Sequence, residues 1–67
     1  MEKYKIKCNE GYVKAVLFST DGINIPIIAS NKEEAAIYEE DKAKVYLEDI
    51  KTLYSDSYIK FELEEVK

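Results

Sequence analysis

The side chains that could do chemistry in this 67-residue chain are few: one cysteine, Cys8, a run of acids at Glu39, Glu40 and Asp41, and six tyrosines, with no histidine, arginine or tryptophan. Histidine and tuned thiolates supply most general acid–base, nucleophile and metal chemistry near neutral pH, because their protonation changes there. Their scarcity argues against an enzyme. Cys8 falls on the inward parity of an alternating segment and reads as a small buried hydrophobe rather than a nucleophile. Consecutive helical positions point about 100° apart, so Glu39, Glu40 and Asp41 cannot converge on one ion. One cysteine makes no intramolecular disulfide, and no Cys/His spacing suits zinc. No cofactor is expected.

A second acidic reading is electrostatic. Glu33, Glu34, Glu39, Glu40, Asp41, Glu48 and Asp49 could imitate nucleic-acid phosphates and occupy a basic channel in a partner, because charge dominates phosphate binding. Against that, Glu40 and Lys44, Lys44 and Glu48, and Glu48 and Lys51 stand three or four residues apart, where a helical face neutralises itself. A plain solvated face is the simpler reading. The tyrosines could stack single-stranded bases, but such platforms come with a basic groove and often arginine. Tyr4, Tyr46 and Tyr54 read instead as core and boundary residues with wet hydroxyls.

The elements that position these groups follow from the hydrophobic period. Tyr4, Ile6 and Cys8 alternate with Lys3, Lys5 and Lys7, which predicts a half-buried strand over 4–8. Tyr12 to Ser19 is rich in β-branched and aromatic residues and predicts a second strand. Thr20-Asp21-Gly22 follows, and an Asp-Gly pair between two apolar alternating runs is a hairpin signal, since both turn positions tolerate positive φ. Ile23 to Ala29 predicts a third strand, with Ile23, Ile25, Ile27 and Ala29 on one face. Pro26 lacks a ladder donor and so assigns that strand to an edge, or turns its missing N–H outward.

Ser30 with Glu33 predicts a capping box opening a helix that buries Ala35, Ala36 and Tyr38 or Ile37. The apolar stripe changes phase at Asp41, which would cap a second helix burying Ala43, Tyr46, Leu47, Ile50, Leu53 and Tyr54. Ser55-Asp56-Ser57 ends it. Tyr58 to Val66 then predicts a last strand with Ile59, Phe61 and Leu63 inward. The expected fold is α+β: a small, mainly antiparallel sheet in the order β-β-β-α-α-β with two short helices on one face, residues 1–67 forming one domain.

Residues 1–32 carry five lysines against three acids, and residues 33–67 five lysines against eleven, within a net charge of −4. This asymmetry steers a basic partner and disfavours direct nucleic-acid binding by the helical half. No segment has the unbroken apolar run of a signal peptide or membrane span, which assigns the chain to the cytoplasm without membrane contact. At this size only about 60% of the unfolded chain's surface is buried on folding, so a partner or a homodimer is a natural supplement.

Tyr4-Lys5-Ile6-Lys7 with Gly11-Tyr12-Val13-Lys14, Glu34-Ala35-Ala36-Ile37-Tyr38, Asp41-Lys42-Ala43 and the terminal Glu64-Glu65-Val66 together resemble a pattern found in small proteins of phages and mobile elements of low-GC Gram-positive bacteria. The resemblance spans nearly the whole chain. It implies a counter-defence role such as that of anti-CRISPR proteins, which bind an effector nuclease, and it carries over no site residue. The residues themselves point to an interface. Tyr12, Val16, Phe18 and Ile28 share one strand parity and Val13, Ala15 and Leu17 the other, so both faces of the hairpin are apolar and helices can cover only one. The expectation is a protein-binding module that inhibits a host defence nuclease through the Tyr12, Val16, Phe18 and Ile28 face. The alternative is a homodimeric structural or regulatory module.

Overall fold

A computed structural model describes residues 2–9 and 11–66. Five strands and one helix follow in the order β1 (Lys3–Cys8), β2 (Gly11–Phe18), β3 (Asn24–Ala29), a 3-10 turn (Lys32–Glu34), β4 (Tyr38–Glu39), α1 (Glu40–Leu53) and β5 (Phe61–Val66). All strand pairings are antiparallel. β5 pairs with β1 along its whole length, from Lys3↔Val66 to Cys8↔Phe61. A strand has two edges, so β2 and β4 share the other: β2 at Lys7↔Tyr12 and Cys8↔Gly11, β4 at Lys3↔Glu39 and Tyr4↔Tyr38. β3 closes the far side against β2, which gives Pro26 the edge strand its missing donor requires.

Alternation along β1 decides the two faces. Ile6 and Cys8 lie opposite Leu63 and Phe61 on the face that α1 covers, while Lys5 and Lys7 lie opposite Glu64 and Glu62 on the outer face. The core is Ile6, Cys8, Val13, Ile50 and Phe61, with Val16, Tyr38, Tyr46, Leu47, Tyr54 and Leu63 packed around it. The stripe predicted for the second helix is present: Ala43 and Ile50 are fully buried. Tyr46 meets Tyr38 edge to face at 5.2 Å, and Tyr54 meets Phe61 at 5.4 Å. The helix begins at Glu40 with Glu39, not Asp41, at its N-cap, and Glu40 and Asp41 fill its first turn, where acids meet the positive end of the helix dipole.

Three expectations are corrected. The predicted first helix does not form: residues 30–39 hold only the 3-10 turn and β4, and Ser30 caps nothing, since Asn31 occupies the N-cap of that turn without a side-chain cap bond. The reason is non-local. β1 and β2 diverge after two paired positions, which leaves backbone groups on both strands unpaired. The extended segment fills that wedge, with the Ala36 N–H donating to Val13 O at 3.0 Å and β4 pairing with Lys3 and Tyr4. Sheet pairing overrides local helix propensity here. The wedge also carries the chain from the outer face, where Lys5 Nζ donates to Lys32 O at 3.5 Å, to the inner face and α1.

The second correction is in the hairpin turn. Gly22 alone takes positive φ, at 79°; the Gly22 N–H donates to Ser19 O at 3.0 Å and the Ser19 N–H to Ile23 O at 2.8 Å. This is a three-residue loop with glycine in the left-handed position, not a two-residue turn. The third concerns parity. A bulge at Lys14 shifts the register between Val13 and Ala15. Up to the bulge Val13 faces inward and Tyr12 outward; beyond it Val16 and Phe18 face inward while Ala15 and Leu17 face outward with Ile27 and Ile25.

Candidate interaction surfaces

Among the described residues no three Asp, Glu or Cys side chains converge on a point that could hold a metal ion. Cys8 is 5% exposed, and burial raises its pKa against a smaller lowering by the Gly11 backbone N–H. It is held as a thiol at the inner end of β1.

The predicted acidic surface is dispersed. Glu33 and Glu34 lie in the 3-10 turn, Glu39 in β4, Glu40 and Asp41 in the first turn of α1, and Glu48 and Asp49 two turns on. Three of the seven have side-chain partners among the described residues. Glu34 accepts from Asn31 Nδ2 at 3.4 Å. Glu40 pairs with Lys44 at 3.9 Å, and Asp49 accepts a bond from Asn24 Nδ2 at 2.7 Å, which ties the start of β3 to the helix. The Lys44–Glu48 and Glu48–Lys51 pairs suggested by their spacing are not among the ion pairs of the described residues. Glu39, Glu40 and Asp41 instead gather with Glu2 around a shallow cavity at the helix start.

The four residues predicted as one interface are separated. Tyr12 lies on the outer face, where its hydroxyl donates to Glu64 at 3.1 Å. Glu64 also meets Lys32 at 3.2 Å. Lys32, with Tyr12 assisting, holds the Glu64 carboxyl below its usual pKa, and Glu64 raises that of Lys32 in return. Tyr12 thus belongs to a polar staple fixing the 3-10 turn to the sheet. Val16 packs on the core. Ile28 sits opposite Val13 at the other end of the hairpin from Phe18.

Two apolar surfaces remain open. One is a groove of about 420 Å³ at the β1–β2 turn end of the inner face, lined by Cys8, Gly11, Ile28, Tyr54, Ile59 and Phe61. α1 ends at Leu53 and leaves it uncovered. Gly11 is required there, because a Cβ would stand 2.7 Å from Ala29 O and 3.0 Å from Ile28 Cγ2. The second is the distal end of the β2–β3 hairpin. Leu17 (56%), Phe18 (74%), Ile23 (41%) and Ile25 (39%) are exposed there, and Leu53 of the helix, 41% exposed, lines a cavity with Ile23. Sequence reasoning named Phe18 for the interface, placed Leu17 on the opposite parity and Ile23 and Ile25 only as strand residues, and missed the groove, which is made where a turn, a helix end and a loop meet.

Area supports the same emphasis. A folded monomer of 7.8 kDa exposes about 4,400 Å² by size scaling. This chain exposes 4889 Å². The class defined by fold and surfaces is a five-stranded antiparallel α+β domain with one helix, a polar staple on one face and an unpartnered apolar hairpin. Comparisons of the chain with protein-family models, with curated proteins and with solved structures found no match.

Proposed function

We propose that this chain is a non-catalytic binding module that acts by protein–protein contact, docking through the distal end of the β2–β3 hairpin. The observation that carries this reading is the exposure of Leu17, Phe18, Ile23 and Ile25 together, in a molecule whose core is too small to spare such side chains. Exposed apolar patches of several hundred Å² mark interaction sites. Phe18 and Leu17 are adjacent and point to opposite faces, so a partner must cover the end of the hairpin rather than one side of it.

Inhibition of a host defence nuclease in the host cytoplasm is the form of this activity that the resemblance to phage and mobile-element proteins favours. Direct nucleic-acid binding is disfavoured on this reading, because Lys5 and Lys7 of β1 stand opposite Glu64 and Glu62. The experiment is affinity capture from a low-GC Gram-positive host with the wild-type chain and with Leu17→Ser/Phe18→Ser, followed by a cleavage assay on any nuclease retained. The reading expects a nuclease that the wild type retains and inhibits and the double variant does not. Equal capture by both chains removes the hairpin from the account, and retained proteins without nuclease activity remove the counter-defence role.

The alternative, a homodimer, would draw on the same exposed side chains, Leu17, Phe18, Ile23 and Ile25. About 800 Å² per partner is typical of a stable interface. A wild-type chain that sediments as a monomer at high micromolar concentration eliminates this alternative.

A further inference from the structure

Besides the two-residue β4, two six-residue strands, β3 and β5, pair on one side only, and their edges are not equivalent. On β3 the central position is Pro26, paired with Val16, which removes an outward donor and blunts the edge. On β5 all six residues are paired to β1 on one side, while on the other no backbone group of Phe61–Val66 has a hydrogen-bond partner among the described residues. We propose that the outer edge of β5 accepts an added strand from a partner protein, an extended segment that alternates lysine with apolar residues.

The side-chain pattern specifies that occupant. β5 already pairs with such a strand on its inner side: Lys5 opposite Glu64, Ile6 opposite Leu63, Lys7 opposite Glu62 and Cys8 opposite Phe61. A strand added antiparallel on the outer side meets the same alternation over Phe61–Glu64, with Glu62 and Glu64 on the outer face and Phe61 and Leu63 on the helix face; past Glu64 the pattern inverts, with Glu65 on the helix face and Val66 outward. Glu62 is exposed and makes no ion pair among the described residues, so it is available to an incoming lysine. A second copy's β5 is disfavoured, because the register that aligns the two strands over Phe61–Glu65 sets Glu62 against Glu64 on the outer face and Glu65 against Phe61 on the helix face. A second copy's β1 has the right pattern but is already hydrogen-bonded on both edges. The occupant is therefore foreign, held by main-chain bonds for affinity and by the acid–apolar alternation for selectivity.

This site shares no residue with the hairpin and stands if the hairpin reading fails. The probe is an acetylated peptide Lys-Tyr-Lys-Ile-Lys-Ser, titrated into the isotope-labelled full chain and followed by amide chemical shifts. The expected result is saturable shifts confined to Phe61–Val66 and slowed exchange of their outward amides, with a peptide of the same composition but three consecutive lysines binding at least tenfold more weakly. Glu62→Lys should weaken the alternating peptide roughly fivefold, as expected for reversing one cross-strand charge pair, with Glu62→Gln intermediate and both variants keeping the wild-type spectrum elsewhere. Phe18→Glu should bind the peptide as wild type does. Equal binding of the two peptides, shifts centred on β1 or β3, or no shift at millimolar peptide overturns the proposal.

Discussion

The β1–β5–α1 half of this molecule and its β2–β3 hairpin use similar residues to opposite ends. In the first half, Ile6, Ile50 and Phe61 are buried to 5% exposure or less, and Lys5 and Lys7 on the outer face stand opposite Glu64 and Glu62. In the second, Val13 is fully buried, yet Leu17, Phe18, Ile23 and Ile25 are exposed at 39% or more and a bulge resets the parity halfway along. One half is organised to fold and the other to present surface. Apolarity alone does not separate the two roles; position relative to the single helix does.

The largest effect that would break this comparison lies in the core. Ile50→Ala should cost about 2–5 kcal/mol through lost burial and a residual cavity, measured by urea denaturation, whereas Phe18→Glu should change stability by about 0.5 kcal/mol or less, as surface substitutions do. Comparable losses from both would mean the hairpin end is core. Next comes Gly11→Ala, whose added methyl meets Ala29 O at 2.7 Å. Overpacking of that kind should cost roughly 1–3 kcal/mol, and an unchanged denaturation midpoint would show that β2 and β3 can separate there.

How much of this was legible in the sequence follows the same division. The stripe Ala43, Tyr46, Leu47, Ile50 shows its 3.6-residue period directly, because α1 packs one face on one sheet and nothing interrupts it. The alternation of Tyr4, Ile6 and Cys8 with three lysines is equally direct. The bulge at Lys14 leaves no comparable mark, since Val13 and Ala15 fit an unbroken alternation until the partner strand is known. Residues 30–39 carry good local helix signals in Ser30, Glu33, Ala35 and Ala36, yet their conformation is set by the gap between β1 and β2, two strands far off in sequence. Parity was read through the bulge for the residues grouped as one face, Tyr12, Val16, Phe18 and Ile28: the bulge turns Tyr12 to the opposite face, while Ile28 is set apart from Phe18 by the length of the hairpin.

Smaller effects sharpen the electrostatic side. The Glu64 carboxyl is lowered chiefly by Lys32, so its contribution to stability is present above the ordinary glutamate value near 4.3 and is lost as pH falls through the lower folded value. Glu64→Gln should therefore flatten the acid limb of the stability curve below about pH 4, and an unaltered limb would mean the staple is open in solution. Tyr4 gives the smallest signal. Its hydroxyl donates to Glu2 Oε2 at 2.8 Å, which with burial pushes its pKa from 10.0 up to about 12. The neutral form is favoured in the fold, so stability is retained below pH 10 and declines as pH rises toward 12; Glu2→Gln should bring the phenolate absorbance change back toward 10.

The acids at the start of α1 lie on a different element from the hairpin and should act on encounter rather than on residence. Glu39→Lys/Asp41→Lys should change the association rate and its salt dependence, with the lifetime of a complex nearly constant. The central claim, that the hairpin end is a docking surface and not part of the core, is tested most directly by titrating an identified partner with Phe18→Glu at matched stability. The account predicts at least about a tenfold loss of affinity, as for an aromatic anchor removed from an interface, with the urea midpoint of the free chain unchanged. Undiminished affinity, or a midpoint that collapses with the binding, would contradict it.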